Sequence, residues 1–269
     1  MPFILKLLLV PSLIALVTLA ARRWGPGVAG WLSAFPIVAG PILFAIALEH
    51  GSDFAAAAAA ATLLAVLAIV VFSVAYARVA ARPGAAVMPC LAAALLAWAL
   101  AVAVLRGVQW PIWPAFGTVL LALLAAPRLI GTPAPEAATA AANTATTPAA
   151  APARPARDLP WRMLAGAVLT VAVTGAAGGL GPKLSGLFAM FPVMSTVLVG
   201  FSHRAAGPGF ALALLRGMIG GYYAFAVFCL VLALLLPGRG PGLPFAAATA
   251  CALAVQFGVR ALARARARP

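Results

Sequence analysis

At 269 residues, 65% hydrophobic and only 8% charged, with a mean hydropathy of +1.11, the chain has too little polar surface to cover a soluble globular domain. The net charge of +14 would point to nucleic acid in a soluble protein, but here the arginines lie between apolar runs, where they set orientation, and no nucleic-acid partner is expected. Apolar runs of about twenty residues, each long enough to cross a hydrocarbon core of roughly 30 Å, predict an all-α, polytopic helical membrane protein in contact with the lipid bilayer.

The first run, Phe3 to Ala20, has Lys6 ahead of an apolar stretch and small residues after it, in the manner of a signal peptide. It has a counterpart at Trp161 to Gly179 that cannot be a signal, so it reads as a permanent helix. The second run, Gly27 to Leu48, opens in a stretch from Gly25-Pro26 to Phe35-Pro36 that returns from Gly181-Pro182 to Phe191-Pro192. The offset is 156 residues (181 − 25 = 156), with no gap. The same register pairs Thr18 with Thr174, Gly51 with Gly207, Phe54 with Phe210 and Val71-Phe72 with Val227-Phe228, which marks a duplicated unit.

The third run, Asp53 to Ala77, begins with the alanines Ala55 to Ala61, and its counterpart carries Gly217, Gly220 and Gly221. Such small-residue faces let helices approach closely in lipid. Runs from Gly84 to Leu105 and from Trp110 to Ile130 follow, the latter with Trp110 and Trp113 as an interfacial belt. From Gly131 to Pro160 the text turns to Ala, Pro and Thr, a disordered linker. Further runs start at Trp161 and near Lys183, Phe210 and Leu243. The three cysteines, Cys90, Cys229 and Cys251, lie in apolar runs without paired spacing and read as small buried residues.

The expectation is about nine transmembrane helices: a first repeat of five over residues 1–130, the linker over 131–160, and a second repeat of four over 161–269 ending in a basic tail. An odd number of crossings separates the copies, so they form an inverted-topology repeat. Charge gives an independent check. Lys6, Arg106, Lys183 and Arg239 fall on one side, and the other fourteen of the 18 Lys and Arg on the other. The richer side is cytoplasmic, which places the N-terminus outside and the C-terminus inside a bacterial-type inner membrane.

Pro36 lies nine residues after Gly27, and Pro192 nine after Lys183. At 1.5 Å per residue each sits roughly 14 Å into its helix, near mid-bilayer. Each proline lacks an N–H, so the carbonyls of Leu32 and Phe188 are expected to lose their helical partners, and both helices to kink or break. Irregular backbone at that depth belongs where it is buried in protein or lines a cavity. Paired broken helices of inverted-repeat transporters form their substrate sites there.

The candidate substrate-binding residues are therefore Ser33, Phe35 and Pro36 at the first break, and Ser185, Phe191, Pro192, Ser195 and Thr196 around the second. Arg216, two turns into its run, either snorkels to the cytoplasmic surface or faces an anionic ligand. Glu49, His50 and Asp53, and His203 with Arg204, read as solvated loop residues. No spacing of His, Cys or acids fits a metal, no cofactor motif is present and no catalytic residue is assigned. The expected function is a small permease for a polar, anionic or zwitterionic solute. The alternative is a membrane-embedded enzyme or assembly factor acting on a lipid-like substrate, with Ser33, His50 and Asp53 as its reactive groups. Nothing in the sequence sets an oligomeric state.

Overall fold

The computed structural model describes residues 2–36, 39–108, 110–131, 158–178 and 191–266. Among these the regular elements are helices: α1 (Pro2–Trp24), α2 (Pro26–Ser33), α3 (Ala39–His50), α4 (Ser52–Ala80), α5 (Val87–Leu105), α6 (Ile112–Ile130), α7 (Leu159–Gly178), α8 (Val193–Leu235) and α9 (Gly242–Arg266). Five are long and apolar enough to cross a membrane: α4, α5, α6, α8 and, over Gly242–Ala261, α9. The chain is thus an all-helical membrane protein. Most of the linker and of the second copy of the Gly-Pro to Phe-Pro stretch, Ser185 included, lies outside the described residues.

The 43 residues of α8 would stretch about 65 Å if straight, twice the thickness of a hydrocarbon core. A bend at Gly207 (φ 82°, ψ 174°), followed by Pro208, divides it into a first arm over 193–206 and a second over 208–235. Gly51, 156 residues earlier, has nearly the same backbone (φ 89°, ψ 162°) and immediately precedes α4. Side chains other than that of glycine are excluded from this region, so α4 and the second arm of α8 start on the same backbone device.

Contacts at the two ends fix how these long helices run. The Ser52 hydroxyl, at the start of α4, donates to the carbonyl of Arg239, just past the end of α8, at 2.6 Å. The Gly238 N–H reaches the Asp53 carboxylate at 3.4 Å. At the other end Tyr76 hydrogen-bonds His203 at 2.7 Å. The helix α4 and the second arm of α8 are therefore antiparallel.

These two helices form the centre of the bundle, burying among others Phe72, Tyr76, Leu214, Leu215, Met218 and Phe228. The helices α5, α6 and α9 flank them with mostly outward faces. Close approach is made with small residues. A Cβ on Gly30 would run into the backbone of Leu214, and one on Gly217 into the backbone of Gly27, so α2 lies directly on the second arm. Gly220 faces open space and takes no part. In the alanine run, Ala55, Ala56 and Ala59 are buried.

Two expectations are corrected. Cys251 is exposed on α9, while Cys90 and Cys229 are buried; α9 has only one covered face, and Cys251 is on the other. His203 is no solvated loop residue: the helix continues through it, and burial under α4 pairs its ring with Tyr76.

Candidate functional site

The first break follows from Pro36. The helix α2 ends at Ser33, where the Ala34 N–H donates to the Gly30 carbonyl at 3.3 Å. The Leu32 carbonyl, expected to stand unpaired, is taken by the Phe35 N–H at 3.2 Å, because the last turn tightens to i→i+3 bonding. The deficit moves back one residue. The carbonyl of Trp31 receives the side-chain amide of Gln256, from α9, at 3.0 Å. Ser33 spends its hydroxyl proton on the Gly30 carbonyl at 2.8 Å and keeps its oxygen lone pairs as acceptors. Beyond the break, the Pro36 carbonyl accepts the Gly40 N–H at 2.8 Å and starts α3.

The helix expected to run from Lys183 to a break at Pro192 lies outside the described residues up to Phe191; Pro192 itself (φ −76°, ψ 56°) is the centre of an inverse γ-turn closed by the Val193 N–H on the Phe191 carbonyl at 2.7 Å. The Thr196 N–H then takes the Pro192 carbonyl at 2.8 Å, so a new helix begins on the far side of the proline. Phe191 packs edge-on against Trp98 with ring centroids 5.0 Å apart. The Ser195 hydroxyl, buried, donates to the Met218 sulfur at 3.5 Å. The hydroxyl of Thr196 is buried without a partner.

One turn of α8 lies against both the end of α2 and the residues that follow Pro192. Met218 meets Ser195 through its sulfur and lies against Gly30 through its backbone N–H, while Gly221 presses on the Trp31 carbonyl and the Ala34 Cβ. Gly30, Trp31 and Ala34, just ahead of the first break, and Ser195, just after Pro192, thus border the same short stretch, Met218 to Gly221. Arg216 stands apart from this stretch. Its guanidinium donates to the Pro127 carbonyl at 3.0 Å in the last turn of α6, where a cation suits the negative end of the helix dipole, and its Nε is buried without a partner.

Gln256 was not singled out in the sequence. A lone amide in an apolar helix is the only local signal, and its partner lies 225 residues away. Arg260, one turn on, places its guanidinium carbon 4.9 Å from the centre of the Trp31 ring.

The remaining polar groups gather at the bundle ends. Asp158 bridges Arg22 at 2.9 Å and Arg162 at 2.8 Å, tying α1 to α7, and Arg162 also lies over the Phe201 ring at 5.4 Å. His50 and Asp53 are exposed at the opposite end, with His50 stacked on Phe54. The twelve residues of α3, with His50 at their far end, span about 18 Å. A cleft of about 420 Å³ opens between α5, α7 and the first arm of α8, lined mainly by apolar side chains such as Val87, Leu91 and Leu169, with Thr196 on its wall and Arg204 beside it. Its rim residue Met88 is 73% exposed, so the cleft belongs to the outer flank of the bundle.

Neither a family model, nor a curated protein, nor a solved structure matches this chain.

Proposed function

We propose that the chain is a small secondary transporter of the inner membrane, a permease that moves a polar, anionic or zwitterionic metabolite by alternating access. The observation that carries this reading is the meeting, on Met218 to Gly221, of the end of α2 ahead of the Pro36 break and of Ser195 just after Pro192. A helix interrupted at Pro36 and a helix begun at Pro192, meeting inside an apolar bundle, bring a few hydroxyls and two helix ends to a place within the protein.

The inverted-repeat organisation of about nine crossings is supported by the shared glycine bends at Gly51 and Gly207 and by the antiparallel run of the helices that follow them. The orientation follows the arginines. Arg22, Arg162, Arg216 and Arg260 reach partners at the end assigned to the cytoplasm, and Arg239 sits at the other with Ser52 and Asp53. A solute with negative charge is favoured by the positive ends of the half-helices that start after the two prolines, at Ala39 and Val193.

The test is solute flux into proteoliposomes containing the purified chain, across a panel of small carboxylates, amino acids and phosphates. Saturable flux of at least one solute, abolished by heat denaturation, is expected. Absence of flux for the whole panel together with turnover of bilayer lipid would replace the permease by a lipid-modifying enzyme.

A further inference from the structure

Next to the first break, two buried polar atoms of opposite kind have no partner among the described residues. Gln256 is 2% exposed, and its amide nitrogen is committed to the Trp31 carbonyl at 3.0 Å, which fixes the orientation of the side-chain amide. Its other atom, Oε1, is buried with nothing to accept from. The indole Nε1 of Trp31 is likewise buried and unpartnered. The first is an acceptor only and the second a donor only, they belong to two residues in direct contact, and they do not bond each other. Leaving both dry carries the desolvation cost of each without the return of a hydrogen bond. Arg260 adds a positive charge over the same indole ring, 4.9 Å from its centre and one helical turn from Gln256.

We infer that Trp31, Gln256 and Arg260 form a recognition site for a small carboxylate that carries a hydrogen-bond donor, a hydroxyl or an ammonium, on the adjacent carbon. The carboxylate takes the indole N–H and the guanidinium of Arg260. The neighbouring donor supplies the proton that Gln256 Oε1 lacks. Because the Gln256 amide is anchored to the carbonyl freed by the Pro36 break, the site exists only while the helix is broken there. The inference rests on the permease reading only in treating the ligand as cargo; binding itself is independent of it.

Three probes of matched size separate the elements: propionate has the carboxylate alone, L-lactate adds a hydroxyl and L-alanine an ammonium. Calorimetric titration of the full-length protein in detergent is expected to show lactate or alanine binding about tenfold more tightly than propionate, the scale of one hydrogen bond to a buried acceptor. Whichever of the two binds better identifies the donor. Gln256→Met is expected to erase that advantage. Trp31→Phe keeps the ring under Arg260 and the backbone carbonyl, and is expected to weaken all three probes about tenfold without changing the melting temperature. If Gln256→Met does not fold, the Trp31→Phe result decides. Equal binding of all three probes, binding indifferent to Trp31→Phe, or no binding at all, as when a single water bridges the two atoms, would overturn the site. Binding without flux in proteoliposomes would leave this site standing and remove the permease; flux of a solute outside this class, unaffected by Trp31→Phe, would do the reverse.

Discussion

Replacing Pro36 by Ala probes the break and its supporting side chain together. The new N–H at position 36 can take the Leu32 carbonyl, which releases the Phe35 N–H from its 3.2 Å bond there to the Trp31 carbonyl. That carbonyl is the one Gln256 now occupies at 3.0 Å, so a continuous helix expels the amide and strands it in a buried place. The gain is one backbone hydrogen bond, about 1 kcal/mol, and the loss is a desolvated amide, about 1–3 kcal/mol. Pro36→Ala alone should therefore lie between neutral and about 2 kcal/mol destabilising, although it removes a proline from a helical segment. Gln256→Leu alone strands the Trp31 carbonyl and should cost about 1–3 kcal/mol. In the double variant the Phe35 N–H fills that carbonyl and no amide is left to strand, so Pro36→Ala should rescue Gln256→Leu. SDS-driven unfolding in mixed micelles measures all four proteins, and the expected coupling is about 1–3 kcal/mol. Effects that add to within about 0.5 kcal/mol would refute the exchange of partners at Trp31.

Four further outcomes follow from the same structure. Gly217→Ala forces a Cβ into the Gly27 backbone and should cost about 1–3 kcal/mol, whereas Gly220→Ala, facing open space, should be neutral or stabilising by up to about 1 kcal/mol in the same unfolding assay. Arg216→Ala removes the donor to the Pro127 carbonyl and should lower stability by about 1–2 kcal/mol, with Arg216→Lys recovering part of it; unchanged unfolding of Arg216→Ala would remove that role. In a background lacking the three native cysteines, labels at Ala145→Cys and after Arg268 should resist an impermeant external reagent while Glu49→Cys reacts. The reverse pattern would invert the orientation.

The existence and place of the first break were legible because proline's missing N–H is a local property, and Pro36 terminates α2 within three residues of its own position. Which carbonyl goes unpaired was not legible: a tightened last turn passed the deficit from Leu32 to Trp31, and the side chain that fills it comes from α9. The offset of 156 residues pairs Gly51 with Gly207, and the structure gives both the same backbone, one that only glycine adopts readily. Burial of His203 and exposure of Cys251 escaped the sequence for a common reason. Hydropathy says that a residue lies in an apolar helix, but the partner helix decides which face is covered, and Tyr76 and the outer flank of α9 lie far away in the chain.

The proposed permease has Pro36 and Pro192 bordering one solute site. The most direct measurement is initial flux in proteoliposomes for Pro36→Ala, Pro192→Ala and the double variant, with the reconstituted amount of each matched. Both prolines acting on one cavity predicts that each single change slows flux severalfold and that the double loses little more than the worse single. Wild-type flux in the double variant, or losses that simply multiply, would contradict a shared site and leave the breaks as separate packing kinks.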